Sequence, residues 1–576
     1  MKSFLRSFFA SLLAIAVTIA VLAGLIASKS GQRPEIEKGS WLVIDLYGGI
    51  DEYDPPTNIM GTIMGGRPET LTRILSNLDK VRVDDRIEGV IFKLSSSNGA
   101  GRATLEEIRG AVKKVRASGK KVYGYSDSMD RATYYLAAAC DSLVMPPTGY
   151  FSFMGMAAVS QHVKNTLEKL DVEPNIHRIK DYKSAAEMIT REDMSKHSRE
   201  NKEWMLEEYW DIYCAALEED RGIDREKVTG AMEIALFEID RAVEFGLVDA
   251  VMYWDELKEM LEGGEDDLKT VSQSAYAQVD PGELDMTGDS RIAVVHAQGM
   301  IGGRKNRIDP MLGVMMGHES VVSQLRKALE DDDVKAIVFR VDSPGGESLA
   351  SDLIGHMVEV AAREKPVVVS MVDVAASGGY HISYRATRIV ADANTLTGSI
   401  GSISGKFNMS GLYDRLGITH DFVTRGPRAL MMSPLRNFTD EEWEIFTENH
   451  WNGFDHWLRD VAEHRGMTFE EAESLAHGRV WTGRQALENG LVDEVGGLDR
   501  AVEVARDLAQ IPEGEKVAID HLPERKTLFE ALMSGEGGFA TAAKYVVYRY
   551  IQDDLAETWE MVTSGRMNTV EEIEIR

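Results

Sequence analysis

Apolar and polar positions along this chain fall into two registers that alternate. Short runs rich in β-branched residues, "GVIFKL" (89–94), "KAIVFRV" (335–341) and "KPVVVSMV" (365–372), are apolar on both faces and predict buried parallel strands. Between such runs, "ESVVSQLRKALEDD" (319–332) and "SLASDLIGHMVEVAAREK" (348–365) carry apolar residues at helical spacing. Strand and helix in alternation predict βαβ units, and so an α/β fold. One segment follows neither register. Ser7 to Ser28 holds 22 residues without a charge. As a helix it reaches about 33 Å, enough to cross the ~30 Å hydrocarbon core of a bilayer. It is longer than the apolar part of a cleavable signal peptide and lacks a small-residue cleavage site near Ala27, so it reads as an uncleaved anchor behind a cytoplasmic segment 1–6. Lys2 and Arg6 precede the span and Lys29, Arg33 and Lys38 follow it. Orientation therefore rests on the long region behind a first apolar span, which reads as translocated.

The pattern also repeats. "EGVIFKLSSSNGAG" (88–101) matches "KAIVFRVDSPGGES" (335–348), with Phe92 opposite Phe339 and Gly99 opposite Gly346. "WLVIDLYGGI" (41–50) matches "RIAVVHAQGMIGG" (291–303), and "AVEFGLVDAV" (242–251) matches "ALENGLVDEV" (486–495). The order is kept throughout, which marks an internal duplication. The copies are expected over 40–262 and 290–520. The polar, glycine-bearing stretch 263–289 reads as a linker, and 521–576 as a helical extension.

Composition adds exclusions. A chain of 576 residues exceeds one core. A net charge of −30 argues against nucleic acid or an anionic membrane surface as partner. Cys140 and Cys214 match no metal-ligand spacing and read as two unrelated core cysteines, with a disulfide between them left open. No metal or cofactor is expected.

Two glycine motifs of the second copy carry the chemistry. "DSPGGES" (342–348) and "AASGGY" (375–380) each follow a predicted strand. In a parallel sheet both turns lie at the carboxyl ends of their strands, where ligands bind. Each alone is an ordinary glycine turn. Together they place Ser377 beside amides of Gly346 and Gly378 that can converge as an oxyanion hole.

"DSPGGES", "AASGGY" and "LTGSIGSI" (396–403), in this order, resemble the S49 family of signal peptide peptidases. The doubled length, the anchor and the repeat resemble that family's long tandem form. The likeness runs from the anchor to about residue 510. It implies two tandem domains of the Clp protease/crotonase type and a serine endopeptidase acting on signal-peptide remnants. It further implies a homotetramer, and catalytic domains on the periplasmic side of a bacterial inner membrane.

A serine hydroxyl needs a base. His381 lies one helical turn beyond Ser377 and would have to curl back over that turn. The stretch "ANTLTGSIGSISG" (393–405), where Clp-type relatives carry their histidine, has none. The S49 resemblance points instead to Lys183 in "DYKSAAE" (181–187), a lysine that burial can make a neutral base. It also gives Ser399 the role of orienting that lysine. Lys406, the nearest competitor in the chain, reads as a surface or loop lysine. In the second copy Arg428, in "RGPRALM", stands where the lysine would be, and arginine does not surrender its proton. In the first copy "MDRATYY" (129–135) has no serine opposite Ser377. The site is thus expected to form across the two repeats. The linker allows this within one chain or between neighbours in a ring, and the reading leans to neighbours. Two rivals remain: a catalytically silent scaffold of the same fold, and a crotonase-like acyl-CoA enzyme using an acid such as Glu347.

Overall fold

The computed structural model describes residues 36–53, 69–96, 99–262, 267–309 and 313–524. The predicted anchor at 7–28, and the extension beyond residue 524, lie outside them. Among the described residues no helix is long and apolar enough to cross a membrane.

Two eight-stranded sheets share one topology. In the first, Thr270–Ser272, Ser40–Leu46, Ile87–Ser95 and Lys121–Met129 lie side by side in that order. The last of these forks. Ser142–Met145 pairs along one stretch and carries Ala250–Val251. Tyr150–Phe153 pairs at the carboxyl end and carries Ala235–Phe237 antiparallel. The second sheet repeats this with Val517–Leu522, Ser290–Gln298, Val334–Ser343 and Val367–Ala376. Its fork holds Arg388–Ala391 with Glu494–Val495, and Leu396–Gly398 with Val480–Thr482. The predicted strands form because helices cover both faces of each sheet, so runs such as Val367–Ala376 are buried almost throughout. The predicted helices appear at His318–Glu330 and Ser348–Glu364. Cys140 and Cys214 are both buried and free.

The stretch expected as a linker is largely folded. Thr270–Ser272 adds a parallel strand beside Trp41–Val43, and the following turn buries Gln273 and Tyr276. Tyr276 anchors it by donating to Asp84 and accepting Lys80 at its carbonyl. Its polar composition hides a short edge strand held by backbone pairing.

The two copies are locked together. Glu173–Arg178, from the first copy, pairs antiparallel with Ile403–Asn408 of the second. Asp373, at the end of a second-copy strand, accepts from the Ala103 and Thr104 amides and the Thr104 hydroxyl, capping the first-copy helix Arg102–Ala117. Arg340, fully buried, bonds Glu52 and Glu107 of the first copy and Ser370 of its own. Burial raises the Glu107 carboxyl to about 7, against the pull of Arg340. Trp204 meets Trp481 edge-on at 4.8 Å.

Candidate active site

Ser377 stands between the strand Val367–Ala376 and the short helix Gly378–His381. Its φ of 56° and ψ of −115° are strained for a residue with a side chain. The turn holds because Ser377 N–H donates to Gly398 O and its own carbonyl accepts from His381 N–H, both at 2.9 Å. The serine is thereby presented at the carboxyl end of the strand, as the glycine pattern implied.

Lys183 arrives from the first copy. The inter-copy strand Glu173–Arg178 aims the following loop into the second copy, and Ile179 N–H continues the pairing to Ser402 O. Lys183 Nζ then lies 2.9 Å from Ser377 Oγ, 2.9 Å from Ser399 Oγ and 3.0 Å from Ser399 O. A neutral amine has two N–H groups and one lone pair. With its two N–H groups on the Ser399 carbonyl and hydroxyl, a neutral Lys183 has its lone pair left to take the Ser377 proton. Lys183 is 7% exposed. Burial alone pulls its ammonium down from 10.5 to about 7, with no charged neighbour contributing. Ser399 is itself held at φ 51° by its N–H bond to Arg479 O.

The oxyanion side is built from backbone. Gly345 (φ 103°) and Gly346 (φ 154°) turn the chain after Val334–Ser343. Ile301 zips this turn down, donating to Gly345 O and accepting from Glu347 N–H. A side chain at Gly346 would strike the Ile301 carbonyl. A methyl at Gly378 would come 2.9 Å from Gly346 N, so the two peptides stand side by side. Neither the Gly346 nor the Gly378 amide has a protein acceptor among the described residues. Two free N–H groups beside a serine hydroxyl suit an oxygen that gains charge.

The competitors are engaged elsewhere. His381 stacks on Trp457 at 4.8 Å and faces Asp352, 3.7 Å away. It pulls the Asp352 carboxyl down to about 2, with Arg385 assisting. Lys406 is not a surface lysine. It is buried on Ile403–Asn408 and donates to the carbonyls of Met431 and Ser433. Glu347, the acid an acyl-CoA enzyme would need, accepts from Gly303 N–H. Arg428 pairs with Glu441 at the surface. The register also moves by one. Val163 N–H donates to Met188 O, and Met409 N–H to Pro434 O, both at 2.7 Å and 246 residues apart. That offset sets Ala429, not Arg428, opposite Lys183, and Arg131 opposite Ser377. Each copy lacks one half of the pair, and within one chain the two halves meet. The lean toward a site shared between neighbours is therefore corrected. Sequence reading gave no role to Gly401 and Gly478, which flank Lys183; Gly401 lies inside the "LTGSIGSI" motif, whereas nothing around Gly478 marks it out from other turn glycines.

The family model of peptidase family S49 matches twice, over residues 114–268 and 359–512. The chain belongs to peptidase family S49. A chloroplastic serine protease SPPA of Arabidopsis thaliana is 33% identical over 509 residues, covering 87% of this chain and 74% of the relative. Protease 4 of Salmonella typhi is 30% identical over 562 residues, 93% of this chain and 88% of its own length. A putative signal peptide peptidase SppA of Enterococcus faecium is 36% identical over 187 residues, 32% of this chain and 54% of that protein. The chain is a serine protease. This removes the acyl-CoA and silent-scaffold alternatives.

Proposed function

We propose that this S49 peptidase is a membrane-anchored endopeptidase with a Ser377–Lys183 dyad that degrades cleaved signal peptides and other small hydrophobic peptides. The observation that carries it is Lys183 Nζ, 2.9 Å from Ser377 Oγ in a slot shared with Ser399. Ser377 Oγ attacks the peptide carbonyl as Lys183 takes its proton. The carbonyl oxygen, now charged, is received by the Gly346 and Gly378 amides. The ammonium returns the proton to the leaving amine, and a water deprotonated by the same lysine clears the acyl-enzyme. Removing a donor of this kind raises the barrier by about 2.7–4 kcal/mol. The uncharged span 7–28 holds the site beside hydrophobic fragments, with the catalytic copies on the periplasmic face of a bacterial inner membrane.

A serine-reactive phosphonate tests the reading. It is expected to label Ser377 in membranes that release the protein only to detergent, and to fail in Lys183→Ala. Because the base must be neutral, labelling and turnover rise as pH passes through about 7 and level off above it. A limb that persists in an active Lys183→Ala variant, and vanishes in His381→Ala, overturns the assignment.

A homo-oligomer, a tetramer by family likeness, accompanies this reading. At the 246-residue offset, the paired strands 403–408 and 173–178 correspond to 157–162 and 419–424. Neither of these has a ladder partner among the described residues, and Val423 is 100% exposed with Phe422 beside it. Pairing 419–424 of one chain with 157–162 of the next repeats the join already made within the chain. Phe422→Asp with Val423→Asp is expected to lower the mass measured by light scattering to that of one chain. An unchanged mass removes this interface.

A further inference from the structure

A turn of the second copy, Ala476–Arg479, wraps the backbone of Lys183. It carries two successive left-handed residues, His477 (φ 51°) and Gly478 (φ 79°). His477 O accepts from Tyr182 N–H at 3.0 Å, the residue before Lys183. Gly478 N–H donates to Ile400 O and Arg479 O accepts from Ser399 N–H, each at 2.8 Å. The same turn thus bonds the chain on both sides of the lysine slot. Its fit is close. A methyl at Gly478 would lie 2.5 Å from Lys183 N and 2.6 Å from its Cα and Cβ. A methyl at Gly401, on the far wall, would lie 3.3 Å from Lys183 Cδ and 2.9 Å from Gly478 Cα. The lysine stem therefore runs between two glycines packed closely against it.

The outer face of the turn is pinned as well. Glu473 Oε1 accepts from Lys180 Nζ at 2.6 Å and faces His477 Nε2 at 2.9 Å. The Arg479 guanidinium lies over Tyr182 at 4.2 Å and over Trp204 at 4.6 Å.

We propose that the Ala476–Arg479 turn, centred on Gly478, is a positioning element that seats Lys183 against Ser377 and excludes water from its stem. The proposal rests on Lys183 being the base. The charged groups around the slot are committed elsewhere. Lys180 and His477 face Glu473, Arg479 covers aromatic rings and pairs with Glu200, and His381 behind Ser377 faces Asp352. The wall at 399–401 carries no titratable side chain. Water is thus what the turn controls, and hydration restores a lysine toward its ordinary proton affinity.

The experiment is the pH profile of kcat and KM for Gly478→Ala and, separately, Glu473→Ala, with Lys183→Ala as control. In Gly478→Ala the added methyl must push the Lys183 backbone aside. Its kcat is expected to fall about a hundredfold at pH 7 with KM little changed, as for a displaced catalytic group. The acid limb should move up by about one pH unit or more, so that part of the loss is recovered at high pH. Glu473→Ala frees the outer face without touching the slot and should shift the limb the same way by less. It decides the matter if Gly478→Ala does not fold. A fall in activity by one factor at every pH, with the limb still near 7 in the folded variants, overturns the proposal. An active Lys183→Ala that keeps the limb overturns the base assignment instead, so the two failures are told apart.

Discussion

A Ser377→Ala chain mixed with a Lys183→Ala chain recovers no activity. Each variant alone falls on the order of 10⁴–10⁶-fold, the usual loss when one member of a nucleophile–base unit is removed. Rescue requires the lysine loop of one chain to enter the slot of another. In this structure that loop is delivered by the six-residue pairing of Glu173–Arg178 with Ile403–Asn408. Backbone bonds from Ile179 to Ser402 and from Tyr182 to His477 extend it. Further along, Tyr209 donates to Asn394 O and Arg484 pairs with Glu208 across the same boundary. An exchange would break all of these at once. Co-expressing the two variants and assaying the purified assembly checks this. Activity above the sum of the separate variants would mean that the lysine is supplied by a neighbour. Residues 290–576 alone should likewise be inactive, since they hold Ser377 with no base.

Arg340→Ala is expected to destabilise the chain by about 3–5 kcal/mol, the cost of leaving buried charge without its partner. Arg340 Nε lies 2.8 Å from Glu52 Oε1 and Nη2 lies 2.7 Å from Glu107 Oε1, all three side chains being buried. Lysine cannot stand in, because the guanidinium serves Glu52, Glu107 and Ser370 in one plane. Replacing Glu52 and Glu107 by Gln together with Arg340→Met should recover most of the loss, since no charge is then stranded. Urea midpoints at constant slope measure this. If Arg340→Ala matches wild type, the network does not hold the copies together.

Much of this was readable from residue order, for reasons particular residues make plain. The central strands were legible because both faces are covered, which leaves near-continuous apolar runs such as "VVVSMV". Ser377 and Lys183 could be joined across 194 positions because the S49 resemblance pointed to Lys183 and the diverged duplication left each copy with one half of the pair. Where local composition does not report packing, reading failed. Lys406 sits in "SGKFN", which reads as a loop, yet its ammonium is absorbed by two backbone carbonyls. Thr270–Ser272 is three residues long, too short to show a period. Arg428 was set opposite Lys183 by counting through a gapped repeat, and a slip of one suffices to replace Ala429. The choice between one chain and two depended on a pairing between distant strands, which nothing in either strand encodes alone.

The inter-copy strand has a further consequence for the order in which the molecule is made. Lys183 leaves the ribosome nearly 300 residues before the turn at Ala476–Arg479 that closes its slot. At about 5–20 residues per second that gap lasts about 15–60 s. Throughout it the slot is open to water and, on the proposed dyad, Ser377 once made has no seated base. The nascent chain is therefore its own inactive precursor. Competence arrives only when the Ala476–Arg479 turn of the second copy closes over the first copy's arm.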